Sequence, residues 1–355
     1  MQVFQMKFYR NAMIKRLWLM VVFTVIACTK GYALSFDLDS IASKGRFLNF
    51  CVSAYRFTDR FFNEIDTAYI SPTGYRWNLK FRACSWTDFN GFYFDGNHQM
   101  GMLSPFCTSI GADVQFMAVS IGYDINVNKI FGGSGKDRSK SRFSFEFSSA
   151  LLSGRYYSIK NDDGMNIKYI DKKLIDEIPF PGVKSSTWGI DLTYYFNHHR
   201  YSNQAAFSFG KIQKRSQGSF MVGVTYQSQK LHFDFSKLPE DMQDWLPEKW
   251  KGRDYNSDGY NIGLSGGYGH NWVVRKKFTF GVMGLVIPSL HYGLLNSEDK
   301  GYSFRMNYRL NASAVWNHNR WFIGAVARGD VGFIYSESTL ANGLFSLETK
   351  IGWRF

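Results

Sequence analysis

Basic side chains recur at alternate positions in several segments of this 355-residue chain. An extended strand places every second side chain on the same face. If the sheet that carries these segments closes on itself, its first and last strands meet and the basic side chains share one inner wall: Arg76, Lys80, Arg82, Arg305, Arg309, Arg328, Lys350 and Arg354. Rows of Arg and Lys set the selectivity of aqueous pores. The sequence therefore predicts a basic lumen that passes or binds a small anionic solute.

An alternative use of the same basic residues is structural. Acidic residues occur at inner-face positions of the same segments: Asp124, Glu146, Asp191, Asp330 and Glu348. Ion pairs between the two sets would fill a narrow interior, because a barrel of about ten strands leaves little room beyond its own side chains. The sequence leaves both interpretations open: a lumen for a small anionic solute, or a non-conducting structural or surface-interaction barrel that presents its long loops.

The segment "RDYNSDGYN" is a candidate for calcium. Asp254, Asn256, Asp258 and Gly259 reproduce the first half of an EF-hand loop, in which oxygen ligands two residues apart face the ion. The twelfth position, normally Glu, is Ser265. A plain turn leading into a strand explains the same residue types.

Acyl chemistry is a further alternative. His291, Ser303 and Asp258 could meet near the rim of a barrel, as in a lipid hydrolase or acyltransferase. No recognised motif surrounds any of the three. The chain is therefore not assigned catalytic residues or a cofactor, and a role other than an enzyme is favoured.

The elements that would position these residues are strands. The chain ends in "FSLETKIGWRF", in which Phe345, Leu347, Ile351, Trp353 and Phe355 alternate with small and charged residues. One face suits lipid and the other suits water. The edge strand of a soluble β-sandwich is the alternative, and the length of the strands described next favours the membrane interpretation.

The same two-residue period returns along the chain. In "YSFRMNYRLNASAVW" the apolar side chains run from Tyr302 to Trp316, which exceeds the roughly 9–11 residues that cross a bilayer as a tilted strand. Similar segments are "WNLKFRA", "MAVSIGYDINV", "FSFEFSS", "WGIDLTYYF", "FMVGVTY", "YNIGLSGGY", "FTFGVMGLVIPSLHY" and "WFIGAVARGDVGFIY". The prediction is an all-β fold, a transmembrane antiparallel up-and-down β-barrel of about ten strands (8–12) over residues 75–355.

Connection lengths predict which ends of the strands face which side. Turns are expected in the periplasm, and longer loops outside. The turns are placed near Asn128–Ser141, Asn197–Gly218, Trp272–Lys276 and Asn317–Arg320, and the loops near residues 95–110, 159–184, 236–258, 293–301 and 336–342.

The N-terminus predicts secretion. Basic residues precede "LWLMVVFTVIAC", a short apolar run typical of a signal peptide, here residues 1–33. Cleavage after Ala33 is preferred to acylation at Cys28, because a barrel anchors itself. Residues 34–74 lack the strand period and predict a short helical periplasmic segment that packs on the barrel mouth. A leader ordered only by the first strand is the alternative.

The net charge and the cysteines restrict which partners and which covalent bonds are expected. The formal charge is +13 and becomes +8 without residues 1–33. The basic residues are dispersed and form no nucleic-acid-binding module, so no nucleic-acid partner is predicted. Cys84 and Cys107 flank one predicted loop and could form a disulfide, or remain two buried thiols.

Several longer segments resemble a known family: "TDRFFNEIDTAYI", "YRWNLKFR", "PFCTSIGADVQFMAVSIGYDINVNKIFG" and "FNHHRYSNQAAFSFGKIQKRSQGSF". They are similar to an uncharacterised domain-of-unknown-function family (number 4421) of secreted, presumed outer-membrane β-barrel proteins. The resemblance implies a barrel in the Gram-negative outer membrane. Its partners would be outer-membrane lipid and the barrel-assembly machinery, which recognises C-terminal strands ending on Phe. The resemblance supplies no substrate, mechanism or site residue, and oligomeric state stays open.

Overall fold

The fold comes from a computed structural model. The structure describes residues 43, 45–46, 48–50, 52–53, 64–75, 77–95, 98–116, 119–127, 140–171, 173–275, 277–295, 299–335 and 339–355. The predicted signal peptide, including Cys28 and Ala33, lies outside these residues, and so does Arg76.

The described part of the chain is dominated by strands. They are β1 (Ile70–Pro72), β2 (Trp77–Asp95), β3 (His98–Leu103), β4 (Cys107–Phe116), β5 (Val119–Asn126), β6 (Lys140–Ser148), β7 (Leu152–Asn161), β8 (Met165–Ile170), β9 (Lys173–Phe180), β10 (Val183–Tyr195), β11 (Lys211–Gln213), β12 (Gln217–Asp234), β13 (Asp254–Val274), β14 (Phe278–Leu295), β15 (Asp299–His318), β16 (Trp321–Tyr335) and β17 (Thr339–Arg354). A π-helix covers Gln204–Ser208, a 3-10 helix Phe235–Lys237, and helix α1 Glu240–Trp245.

Twelve of the described strands close into an antiparallel barrel. The order around it is β2, β4, β5, β6, β7, β10, β12, β13, β14, β15, β16 and β17, and β17 returns to pair with β2 from Arg354↔Asn78 to Thr339↔Tyr93. The pairing between β5 and β6 is short, with two matched positions in the described residues. The predicted all-β antiparallel up-and-down barrel is confirmed, at the upper limit of the predicted strand number.

The outer surface of the barrel is apolar. Side chains at alternate positions of β10 and β12 to β17 point outward, and many are half exposed, including Leu264, Leu310 and Ile351. Exposed aromatic side chains flank this surface at two levels. One level comprises Tyr93, Tyr260, Tyr292, Tyr302 and Tyr335, and the other Phe196, Phe220, Trp272, Phe278, Trp321 and Phe355. Tyr260 pairs with Tyr292, and Tyr292 with Tyr302, so the first level follows the barrel rim.

Two barrel strands lie outside the segments singled out by alternation. In β7 the inward side chains include Tyr157 and Ile159, whereas Gly154 and Ser158 point outward. Apolar and polar side chains therefore do not alternate regularly along this strand. Strand β4 was also not recognised. As a result the prediction of a periplasmic turn near Asn128–Ser141 is wrong. The chain reverses between Phe116 and Val119 instead, and the end of β5 lies toward the opposite end of the barrel, where Asn126 pairs with Ser109.

The end of the barrel with the shorter turns, called the turn end, is filled from inside. It holds residues 75, 149–151, 196–216, 275, 277 and 319–320 together with Phe355. The connection between β10 and β12 folds inward and places the π-helix and Phe209 among inward side chains of the strands. This plug cluster comprises Tyr195, Tyr201, Ala206, Phe207, Phe209, Met221, Met283, Leu285, Ile287, Val315, Phe322 and Val326. A Cβ on Gly324 would lie 2.4 Å from the Phe209 ring, so glycine is required there.

The opposite end, called the loop end, carries a second apolar cluster. Strands β3, β8 and β9 extend the sheet beyond β2, and the connection from β12 to β13 packs against them. This cap cluster comprises Phe92, Phe94, Met100, Met102, Met165, Ile167, Phe180, Val183, Leu231, Phe233, Phe235, Leu238, Met242, Leu246, Trp250, Tyr255, Ile334 and Leu340. Its rings meet edge to face, for example Phe92 and Phe233 at 4.8 Å between centroids.

Residues 64–75 lie at the turn end. Strand β1 pairs with β11 of the inward-folded connection, from Ile70↔Gln213 to Pro72↔Lys211. The Asp66 backbone N–H donates to the His199 carbonyl at 2.7 Å. In the predicted helical segment the structure describes a helix at Arg46, Leu48–Phe50, Val52 and Ser53. The other residues between Ser53 and residue 64 lie outside the described residues.

None of the helices in the described ranges has the length and apolar character of a membrane-spanning helix.

The apolar outer surface predicts where a charge is costly. Leu310 is 61% exposed and lies midway between the two aromatic levels on β15. We expect Leu310→Lys to lower the free energy of unfolding in lipid vesicles by about 2–4 kcal/mol, as for charges at a bilayer midplane. Leu174→Lys is the control, because Leu174 is 85% exposed on β9, beyond the closed barrel, and should change stability by less than about 0.5 kcal/mol. Equal losses would contradict lipid contact at Leu310.

Candidate functional site

A belt of charged side chains crosses the barrel interior between the plug cluster and the cap cluster. Inward positions of β2, β4, β6, β7, β10, β15, β16 and β17 contribute it, because every second residue of each strand faces the interior. Of the eight predicted basic residues, the seven that the structure describes all point inward and are at most 13% exposed: Lys80, Arg82, Arg305, Arg309, Arg328, Lys350 and Arg354.

One group of ion pairs centres on Glu348. Its carboxylate lies 3.0 Å from Arg328 NH1, 3.1 Å from Lys350 Nζ and 3.7 Å from Arg82 NH1. Arg82 Nε also donates to Asp124 Oδ1 at 2.6 Å, and Lys80 Nζ lies 3.1 Å from Asp113 Oδ2. These contacts join β2, β4, β5, β16 and β17 across the line where the barrel closes.

A second group surrounds Arg309. This guanidinium pairs with Asp330 at 2.5 Å and with Asp191 at 3.0 Å. Arg155 contacts the same two carboxylates, at 2.8 Å for Asp191 and 3.8 Å for Asp330. Arg328 of the first group also pairs with Glu146, at 3.4 Å. The five acids named by the structural alternative are therefore the partners of these basic residues.

Arg305 and Arg354 differ from the others, because each of their described hydrogen-bond partners is neutral. Arg305 donates to Gln229 Oε1 at 3.0 Å and Ser257 Oγ at 3.3 Å, close to the cap cluster. Arg354 donates to the Phe209 carbonyl at 3.2 Å and to Asn317 Oδ1 at 2.7 Å. Arg354 thus ties the last strand to the plug.

Two of the cavities beside the charged belt exceed 100 Å³. The larger, about 330 Å³, is lined by residues of β2, β4, β5, β6, β16 and β17, including Lys80, Arg82, Asp113, Glu348 and Lys350. The smaller, about 130 Å³, lies between Arg155, Asp191, Arg309 and Asp330. Polar cavities of this size hold water or a small solute.

The two cysteines lie on the wall of the larger cavity. Cys84 and Cys107 are buried and are both free thiols. The Sγ atoms accept from Arg142 NH1 and Asn126 Nδ2, each at 3.3 Å. The disulfide considered from the sequence is not formed in the described structure, and the alternative of two buried thiols describes it.

The calcium candidates do not form an EF-hand loop. Asp254, Asn256 and Asp258 belong to β13, where they alternate with inward Tyr255 and Ser257. Side chains at three successive alternate positions of one strand stand in a row, about 6.6 Å apart along the chain, so the three cannot encircle one ion as loop ligands do. Asp258 forms an ion pair with Lys230 on the facing strand, with 2.8 Å between Lys230 Nζ and Asp258 Oδ2.

The acyl-transfer triad is not assembled. His291 and Ser303 are directly opposite on β14 and β15, and both face inward. His291 Nδ1 is hydrogen-bonded to Asn261 Oδ1 at 2.9 Å, rather than to an acid. Asp258 points to the outer face of β13, on the other side of the sheet. Strand alternation separates the acid from the other two residues.

Sequence reasoning missed Asp113 and Arg155 as members of the belt. Asp113 lies in β4 and Arg155 lies in β7, the two strands that alternation did not identify. In "CTSIGADVQF" Asp113 alternates with Ile110, Ala112, Val114 and Phe116 in a pattern that could have revealed it.

Comparisons with known proteins place the chain in a family and find solved structures that it resembles. The sequence profile of the family described as Domain of unknown function (DUF4421) matches residues 64–355. No curated protein sequence matches the chain. Similar solved structures include the outer membrane protease OmpT from Escherichia coli, with 8% identity over 79% of this chain and 96% of that one, at a TM-score of 0.39. The toluene transporter TodX of P. putida shares 7% identity over 81% and 94%, with a TM-score of 0.23. The translocator domain of the autotransporter NalP from Neisseria meningitidis shares 10% over 91% and 100%, with a TM-score of 0.23.

The ion-pair belt predicts that removing its central acid destabilises the barrel. Glu348→Gln leaves Arg82, Arg328 and Lys350 without their shared carboxylate in a buried setting. We expect the free energy of unfolding to fall by about 3 kcal/mol, measured by denaturant titration in vesicles. Glu177→Gln is the control, since Glu177 is 48% exposed and pairs with Lys168 in solvent, and should cost under about 1 kcal/mol. A loss at position 348 no larger than at position 177 would show that the belt contributes little to stability.

Proposed function

We propose that this chain, which belongs to the DUF4421 family, is a non-conducting outer-membrane β-barrel that displays its folded cap at the cell surface. The observation that carries the proposal is the closed interior. Apolar clusters occupy both ends, and the basic belt between them is matched by acids.

Membrane embedding is supported by the outer surface. An apolar band bounded by two levels of aromatic side chains is the pattern of barrels that face lipid, since the rings suit the headgroup region. Beyond the level of Tyr260 the outward side chains of β12 and β13 become polar, with Lys230 opposite Asp258 and His232 opposite Asn256. The strands thus extend past the band at the loop end.

The orientation follows from the connections. Outer-membrane barrels carry short turns toward the periplasm and long loops outside. The turn end therefore faces the periplasm, together with residues 64–75 and the C-terminal Phe355. Outer-membrane lipid and the barrel-assembly machinery are the partners that this placement implies.

The cap is the surface that such a barrel presents. It is built from β3, β8 and β9 and from the connection that contains α1, and it packs around Phe92, Phe235 and Trp250. Leu174 is 85% exposed on it. A folded cap that extends beyond the closed barrel suits a role in surface interaction.

Single-channel recording tests the closed interior. We expect refolded mature protein to insert into planar bilayers without conductance steps, because both ends of the lumen are filled. A variant with residues 203–210 replaced by Gly and Ser removes the π-helix and Phe209 from the turn end alone and should also give no steps, because the cap cluster still fills the loop end. Stable anion-selective steps in the natural protein, weakened by Arg305→Ala with Arg309→Ala, would overturn the proposal and favour passage of an anionic solute.

Binding of a small anion without passage is a second candidate. The larger cavity is lined by six basic side chains, Lys80, Arg82, Lys140, Arg142, Arg328 and Lys350, and four acidic ones, Asp113, Asp124, Glu146 and Glu348. This excess of positive charge favours an anion in the cavity. Among the basic side chains that line the cavity, Arg142 is the one whose described hydrogen bond goes to a thiol, that of Cys84.

Titration with inorganic phosphate tests the second candidate. We expect calorimetry on the refolded barrel to show saturable binding that weakens roughly tenfold in Arg142→Gln, the loss of one charge-assisted hydrogen bond. Lys251→Gln is the control, because Lys251 pairs with Glu248 on the connection before β13, away from the cavity. Absence of saturable heat, or equal weakening in both variants, would reject anion binding in this cavity.

A further inference from the structure

Three side chains with metal-ligating atoms meet on the outer face of the β12–β13 hairpin at the loop end. They are His232, Asp234 and Asp254, and one ligand atom from each lies within 4.8 Å of the other two. His232 and Asp234 are two residues apart on one face of β12. Asp254 is directly opposite Asp234 in the ladder. Inward Leu231, Phe233 and Tyr255 of the cap cluster fix the backbone beneath them.

The opposed carboxylates need a compensating charge. Like charges directly opposite in an antiparallel pair are destabilising. Lys237 Nζ lies 2.9 Å from Asp234 Oδ2. The Ser236 backbone N–H donates to Asp234 Oδ1 at 3.2 Å. Hydrogen bonds from Ser236 and Lys237 lower the pKa of Asp234, which keeps the carboxylate ionised. Asp254 is exposed and forms no ion pair with a cation among the described residues, so the two carboxylates carry negative charge toward solvent.

The imidazole is oriented by a residue on the facing strand. His232 Nδ1 lies 2.6 Å from Asn256 Oδ1, its direct ladder partner. With the amide oxygen as acceptor, Nδ1 carries the proton and Nε2 keeps the lone pair that a metal requires. A hydrogen bond from the second ring nitrogen to an oxygen is the usual support of a metal-bound histidine.

We propose that His232, Asp234 and Asp254 bind a first-row transition-metal dication such as Zn²⁺, with Asn256 as the positioning residue for the imidazole. One nitrogen and two carboxylate donors suit Zn²⁺, whereas Ca²⁺ takes oxygen ligands alone. Three protein ligands leave a fourth position for water or for a group from outside. The ion would join the two strands where the connection that carries α1 leaves the barrel, and so would hold the cap to the barrel. The site does not depend on whether the lumen conducts.

The three residues that suggested a calcium loop have three different roles at this site. Asp254 is a ligand, Asn256 supports the histidine, and Asp258 is neutralised by Lys230. The ligands that complete the set come from the facing strand, at positions that the spacing within "RDYNSDGYN" does not reveal.

Calorimetric titration of the refolded barrel with Zn²⁺, and separately with Ca²⁺, tests the site. We expect saturable Zn²⁺ binding that His232→Ala and Asp254→Asn each weaken at least tenfold, and no comparable heat with Ca²⁺. Replacing Zn²⁺ by Co²⁺ should give visible absorption typical of tetrahedral coordination, which is absent in His232→Ala. Thermal unfolding should shift upward with Zn²⁺ in the natural protein and not in either variant.

Two control variants separate this site from other metal-binding side chains. Asp258→Asn changes a carboxylate on the same face of β13 that is paired with Lys230, and should leave Zn²⁺ affinity unchanged. His198→Ala with His199→Ala removes two adjacent imidazoles at the turn end and should also leave it unchanged. Without metal, Asp254→Asn should unfold at the same or a higher temperature than the natural protein, because it relieves the opposed charges. Zn²⁺ affinity that survives His232→Ala, or that is lost in the double histidine variant, would overturn the proposal.

Discussion

Closure of the sheet is the constraint on which the rest of the structure depends. In an apolar surrounding, each backbone N–H and C=O must find a partner within the protein, and only a closed ladder provides this for strands. The pairing of β17 with β2 closes the ladder along almost the full length of both strands. Closure turns one face of every strand toward the outside and the other toward a narrow interior. The apolar band and the charged belt are consequences of that single division.

The interior then has to accommodate charges without bulk water. Taking an ion out of water costs several kcal/mol, which an opposed ion with good geometry offsets. The belt meets this need with shared carboxylates. Glu348 pairs with three cationic side chains, and Asp191 and Asp330 both pair with Arg309. Apolar clusters fill both ends of the same interior. A barrel built in this way is stabilised by its contents, which is why we favour a closed barrel over an open pore.

The two ends of the barrel differ in how they are completed. At the turn end a connection folds inward and is fastened by Arg354 of the last strand and by β1. At the loop end the sheet grows outward into β3, β8 and β9 and gains an aromatic cluster of its own. The strands that pass the aromatic level carry polar pairs on their outer face, and the proposed metal ligands lie there. The chemistry that faces outward is thus concentrated where the strands leave the apolar band.

The sequence by itself determined the outward face, the fold class and the inward direction of the basic residues, because these depend on the two-residue period of a strand. It also named the five acids that pair with them, though not which pairs form. Strand β7 was not recognised, because its inward face carries Tyr and Ile as well as charge and its outward face carries Gly and Ser; β4 has a regular alternation that could have been recognised. Only the tertiary structure placed Asp113 beside Lys80, left Arg305 with neutral partners, and brought His232 and Asp234 opposite Asp254 and Asn256. Such contacts depend on register between strands distant in sequence, and register is set by the closed ladder as a whole.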